Sequence, residues 1–170
     1  MALHLVPADI AALAERVVQD NIAQGRKVAV AESCTGGLVA GALTEIAGSS
    51  AVLDRGFVTY SNEAKMEMLG VAQDIIDTFG AVSIACAWSM AKGALDRSRA
   101  DVAIAISGVA GPGGGTALKP VGTVVFARVV RNSDGEPEGE LKFFDGGDGP
   151  DGRAIIRHQA TLCALELLLP

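Results

Sequence analysis

From Ala8 to about Gln24, apolar residues fall at helical spacing. Ile10, Leu13, Ala14, Val17 and Val18 share one face, and Gly25 follows as a stop signal. The run KVAVAES is short, small and β-branched, which predicts a buried strand ending at Glu32, Ser33 and Cys34. Thr35-Gly36-Gly37 then turns it into a helix reaching about Ile46. Ala51 to Tyr60 reads as another strand, and helices are expected over Ser61 to Leu69, Gln73 to Phe79 and Ser83 to Arg97. The segment ADVAIAISGVAG is strongly β-like and empties into Gly111-Pro112-Gly113-Gly114-Gly115-Thr116. VGTVVFARVV and ELKFFD flank a polar turn, Asn132 to Gly139, and pair naturally as a hairpin. Pro150 to Leu169 closes as a helix.

Helices interspersed with strands, one pair of them a local hairpin, predict a mixed sheet with helices on both faces. Polar residues gather where strands end. The crevice outside those ends is the usual ligand site in such sheets, so Glu32 to Gly37 and Ser107 to Thr116 are its expected lining.

With 170 residues, 49% of them hydrophobic, the chain can bury one sizeable core, so a single domain over 1–170 is expected. Aromatics make up only 4%, which leaves packing to Ala, Val, Leu and Ile. The net charge of −6 opposes the phosphate contacts that dominate nucleic-acid binding, so no nucleic-acid partner is expected. Cys34, Cys86 and Cys163 are odd in number and widely spaced, which argues against a disulfide framework or a zinc site and for a reducing, cytoplasmic setting. No export signal or bilayer-length apolar run is evident, so no membrane association is expected. A second copy of the chain, as a homodimer, is the candidate macromolecular partner.

The glycine loop matches neither common phosphate fingerprint. G-x-x-x-x-G-K-[ST] is missing, and Lys119-Pro120 leads into a strand where a dinucleotide fold needs a helix. It reads either as a structural turn or as a cradle of backbone amides for an anion. Ser33, Ser49, Ser50 and Tyr60 sit at ends or turns, where most serines are caps, and Gly48-Ser49-Ser50 reads first as a helix terminator and turn. Lys65 raises the alternative, because a lysine held in a cleft can lose its proton and act as base toward a hydroxyl. Cys34, ahead of a helix start, is a rival nucleophile, with His158 as its nearest base candidate; a small inert residue is the plainer role. Arg153, Arg157 and His158 stand near the start of the last helix, with the arginines four apart on one face, suited to a shared anion or to ordinary solvation.

AESCTGG at 31–37, GSSAVLDRGFVTYSNEAKMEMLGV at 48–71, the Gly80-Ala81-Val82-Ser83 turn, and SGVAGPGGGT with KPVGTV at 107–124 together resemble the C-terminal domain of the CinA family. That family includes nicotinamide mononucleotide deamidases. The resemblance implies an α/β fold, a three-layer α/β/α sandwich with a mixed sheet. It also implies hydrolysis of the nicotinamide carboxamide to a carboxylate and ammonia, with no metal and no cofactor.

On the matching positions Ser50 is then the expected nucleophile and Lys65 its base, with Tyr60 and Ser33 lining the reacting centre. Ser107 stands where family members often carry threonine, which keeps the hydroxyl. Gly111, Gly113, Gly114 and Thr116, with Arg153 or Arg157, are expected to hold the ribose phosphate. Glu32 and Asp54 are candidates to face the pyridinium. Many relatives carry a preceding domain resembling molybdopterin-binding proteins, and the chain is expected to start almost directly at the deamidase-like part. Two other readings stay open: a regulatory nucleotide-binding module of the same fold, and a hydrolase of another small amide.

Overall fold

The computed structural model describes residues 3–170. Six helices and five strands follow one another as α1 (Ala8–Ala23), β1 (Val28–Glu32), α2 (Leu38–Thr44), β2 (Leu53–Val58), α3 (Asn62–Leu69), α4 (Gln73–Phe79), α5 (Ile84–Asp96), β3 (Val102–Gly108), β4 (Thr123–Val130), β5 (Glu138–Phe143) and α6 (Gly152–Glu166). Local chemistry sets several boundaries. Ser61 and Ser83 cap α3 and α5 by accepting from the amides of Ala64 and Cys86. The strand expected from Ala51 begins only at Leu53, because Gly48 is left-handed and Ser49–Ala51 forms one tight helical turn.

The sheet order is β2-β1-β3-β4-β5. β1 runs parallel to both neighbours, with Glu32 opposite Val58 and Ile106, whereas β3, β4 and β5 are antiparallel, with Val125 opposite both Ser107 and Leu141. The sheet is therefore mixed, as expected, with the predicted β4–β5 hairpin at one edge. Among the described residues no helix is long and apolar enough to cross a membrane.

Side chains alternate along the central strands, and on β1 and β3 the alternation separates large from small, whereas β4 adds Val125 and Val129 to the α5 side. Val28, Val30, Val102, Ile104, Ile106, Val124 and Phe126 pack with α1, α2 and α6 on one face. Ala29, Ala31, Ala103, Ala105 and Ala127 present the other face to α5, with Leu69 of α3 and Ile76 of α4 in the same cluster. Methyl-sized side chains let α5 lie close to the sheet. Dispersion contacts then replace the bulk that aromatic residues supply in other cores.

The crossing of α3 and α5 is closer still. A Cβ at Gly93 would lie 2.0 Å from the Leu69 carbonyl oxygen, so only glycine admits the end of α3 there. In an unobstructed helix Gly→Ala gains about 1 kcal/mol. Gly93→Ala is expected instead to lose about 1–3 kcal/mol through overpacking, measured by urea unfolding.

Candidate active site

The C-terminal ends of β1, β2 and β3 converge on one side of the sheet. The Ser33 amide donates to Ile106 O at 2.9 Å and the Thr59 amide donates to Glu32 O at 2.8 Å, so both neighbouring strands fix the end of β1. The Glu32 carboxylate, fully buried, accepts from the amides of Gly37, Val39 and Ala40 and caps α2. From the far side Arg157 of α6 donates to Cys34 O at 3.0 Å and Thr35 O at 3.3 Å. The turn carrying Ser33 is thus held at both its strand and its helix end.

Lys65, on the inward face of α3, is 1% exposed. Its Nζ lies 2.9 Å from Ser33 Oγ, 2.7 Å from Thr59 O and 3.4 Å from Tyr60 O. Among the described residues no carboxylate pairs with it. Burial accordingly pulls its pKa below the usual lysine value, against a smaller opposing influence from the nearby Cys86 and Cys34 sulfurs. An uncharged lysine amine has two N–H groups and one lone pair. If its two N–H groups go to the two carbonyls, the lone pair is left for the Ser33 hydroxyl.

These groups open into a cleft of about 290 Å³ lined by Ser33, Tyr60, Asn62, Lys65, Ser107 and the start of the glycine loop. Gly111, Gly113, Gly114 and Arg153 also border it. Arg153 donates to Gly111 O at 2.6 Å and to the Tyr60 hydroxyl at 3.0 Å, tying the loop to the residue after β2. Gly111 has φ +79°, and a Cβ there would lie 2.5 Å from Val121 Cγ1, so the loop's first turn requires glycine. Arg153 gives the lining a cation, and among the described residues no carboxylate joins it. The cleft is suited to an anion. A larger hollow of about 570 Å³ lies by the β4–β5 turn. There Ser133 accepts from the Gly135 amide and Lys92 is paired with Asp96, so no hydroxyl faces a free base.

The structure brings together Ser33, Tyr60, Lys65, Ser107, Gly111, Gly113, Gly114 and Arg153, and it corrects the rest of the expected constellation. Ser50 is exposed in the turn before β2, whereas Lys65 follows that strand. The hydroxyl beside Lys65 Nζ is that of Ser33, and Ser50 is absent from the cleft lining. Thr116 caps its own turn, accepting from the Lys119 amide. Arg157 spends its donors on Cys34 O and Thr35 O and is absent from the cleft lining. Glu32 is consumed by helix capping, and Asp54 accepts from Arg55 and the Arg99 amide near the opposite strand end, so neither faces the cleft.

The thiol alternative also fails geometrically. Burial pushes the Cys34 pKa up to about 11, and His158 Nε2 lies 2.7 Å from Asp9 on α1, outside the cleft. Among the described residues no three His, Cys, Asp or Glu side chains converge as metal ligands. Asn62 was not anticipated. Its spacing of three from Lys65 puts both on one helix face, which was the available signal.

A polar cleft at the ends of parallel strands, with a buried amine beside a hydroxyl, defines a Ser/Lys-containing α/β/α protein. The chain belongs to the CinA C-terminal domain family, whose pattern matches residues 10–170. It is 48% identical over 164 residues to nicotinamide-nucleotide amidohydrolase PncC of Escherichia coli, covering 96% of this chain and 95% of that protein. A CinA-like protein of Akkermansia muciniphila is 47% identical over 99% of this chain but only 39% of its own length. The crystal structure of the competence/damage inducible protein CihA from Agrobacterium tumefaciens superposes with a TM-score of 0.89 at 54% identity, covering 99% of this chain and 97% of that one.

Two measurements test this electrostatic and steric picture. Because the folded pKa of Lys65 is lowered, the unfolded chain binds more protons between that value and 10.5. Stability conferred at this site therefore rises with pH through that window. Whatever the offset from losing the two carbonyl contacts, the parent is expected to gain on Lys65→Met in urea-unfolding free energy as pH approaches 10.5. A constant difference would contradict the lowered pKa. Separately, Cys34 is expected to resist iodoacetamide at neutral pH in the folded protein and react once unfolded, as read by mass spectrometry.

Proposed function

We propose that the chain hydrolyses the carboxamide of nicotinamide mononucleotide to nicotinic acid mononucleotide and ammonia, with Ser33 as nucleophile and Lys65 as its base. The observation carrying this reading is the buried 2.9 Å approach of Lys65 Nζ to Ser33 Oγ at the floor of an accessible cleft. The Escherichia coli relative, matched over nearly its whole length, is a nicotinamide-nucleotide amidohydrolase, which supports this substrate.

Ser33 Oγ attacks the amide carbon as its proton passes to the Lys65 lone pair. Backbone amides at the cleft floor stabilise the resulting oxyanion. Lys65 then gives the proton to the departing nitrogen, ammonia leaves, and an ester to Ser33 remains. Water, deprotonated by the now uncharged Lys65, cleaves that ester, giving the carboxylate and restoring the hydroxyl. Arg153 and the Gly111 to Gly114 segment hold the phosphate, in keeping with a lining that carries the Arg153 guanidinium and no carboxylate. Tyr60 offers its ring to the pyridinium, for which the cleft provides no negative partner. The buried thiols and the reaction's place among soluble nucleotides fit a cytoplasmic enzyme.

Ammonia release from nicotinamide mononucleotide tests the assignment. Ser33→Ala and Lys65→Ala are each expected to lower turnover by about 10³-fold or more, with Ser50→Ala close to the parent. Loss in Ser50→Ala together with activity in Ser33→Ala would sink the assignment. The kcat/KM profile should rise with pH through an ionisation below the ordinary lysine value of 10.5, and that limb should vanish in Lys65→Ala.

A further inference from the structure

Two of the polar side chains lining the cleft are already engaged, Ser33 with Lys65 and Tyr60 with Arg153. Those of Asn62 and Ser107 line the same cleft and, among the described residues, hydrogen-bond no other protein group. The two stand on different sides of Ser33. The Thr59 and Ser33 amides carry both parallel pairings one residue beyond β1, so Ser33 has Thr59 on its β2 side and Ser107 on its β3 side. Lys65 Nζ reaches Ser33 from the β2 side, where it also meets Thr59 O and Tyr60 O. Asn62 is the first residue of α3 and stands three before Lys65, which puts both on one helix face. Helical side chains lean toward the helix N-terminus, and Lys65 runs back that way to the Tyr60 carbonyl. Its amine is thereby carried to the end of the helix where Asn62 stands.

Resting on the deamidase reading with Ser33 as nucleophile and Lys65 as base, we propose that Asn62 is a further catalytic residue, whose Oδ1 accepts a hydrogen bond from the nitrogen that leaves as ammonia. Lys65 must return its proton to that nitrogen, so the nitrogen faces the β2 side of Ser33 and the carbonyl oxygen faces β3. A planar carboxamide nitrogen only donates hydrogen bonds. It needs an acceptor on the β2 side, where the carbonyls of Thr59 and Tyr60 already receive Lys65 and no carboxylate lines the cleft. Asn62 Oδ1 is the acceptor left. Once the nitrogen has taken its proton it is a cation with three N–H groups, and its bond to Oδ1 strengthens. A contact that tightens along the reaction path speeds the chemical step more than it tightens binding. A neutral amide also leaves Lys65 uncharged, which a carboxylate acceptor would not.

Two substrates that share Ser33 and Lys65 but differ at the leaving atom test the contact. One is nicotinamide mononucleotide and the other the methyl ester of nicotinic acid mononucleotide, whose leaving oxygen bears no N–H. Asn62 is exposed and outside both core clusters, so Asn62→Ala is expected to fold as the parent does, and ester turnover checks this. The substitution should lower kcat for the amide by about tenfold or more, with KM within about threefold, and leave ester turnover within about threefold of the parent. Equal losses on amide and ester would show a structural role and overturn the proposal. So would an amide reaction unchanged by the substitution, or a loss confined to KM. A parent that releases no ammonia from the mononucleotide would overturn the deamidase reading and this proposal with it, and only then do the two fail together.

Discussion

Everything at the cleft depends on keeping one amine out of water without giving it a counter-charge. Transfer of an ammonium group into the protein interior costs several kcal/mol when no anion compensates it. The fold meets this cost with main-chain oxygen: the carbonyls of Thr59 and Tyr60 receive Lys65 just where β2 ends, and the Ser33 hydroxyl completes the set. A carboxylate in their place would hold the lysine charged and unable to act as the base proposed above. The uncharged surroundings of Lys65 are therefore as much a part of the proposed chemistry as Lys65 itself.

That arrangement needs α3 at a fixed depth, and the small-residue face of the sheet sets it. Alanines on β1, β3 and β4 let α5 settle close, and Gly93 of α5 admits the carbonyl end of α3. The opposite face is built from Val, Ile and Phe and carries α6, whose arginines reach the turn after β1 and the glycine loop. The two layers act on the cleft from different sides, one placing the base and the other shaping the entrance.

Much of this was legible in the chain. Periodicity located every helix and strand, and the hairpin of β4 and β5 with its polar turn foretold a mixed sheet. Family resemblance and the clustering of polar residues at strand ends picked out most of the cleft lining. The resemblance points to Ser50 as nucleophile, whereas the hydroxyl within reach of Lys65 Nζ is that of Ser33. Ser50 precedes β2 and Lys65 follows it, and a strand carries its two ends apart, so a stricter use of the predicted elements would have favoured Ser33. Arg157 and Glu32 were misread for another reason. Charged residues beside a cleft were given to the ligand, whereas buried main-chain groups at a tight turn claimed them first, a demand visible only once the turn's carbonyls and amides are located.

The arginine links from α6 are long in sequence, since Arg157 reaches back 123 residues to Cys34 and Arg153 reaches back 93 to Tyr60. The Ser33 and Lys65 contact closes a loop of only 32. During synthesis from the N-terminus, the reactive pair and its strands emerge well before the helix that completes the entrance. Recognition is thus the last property the folding chain acquires. Partial unfolding that releases α6 alone would leave the Ser33 and Lys65 pair standing with the cleft entrance undone.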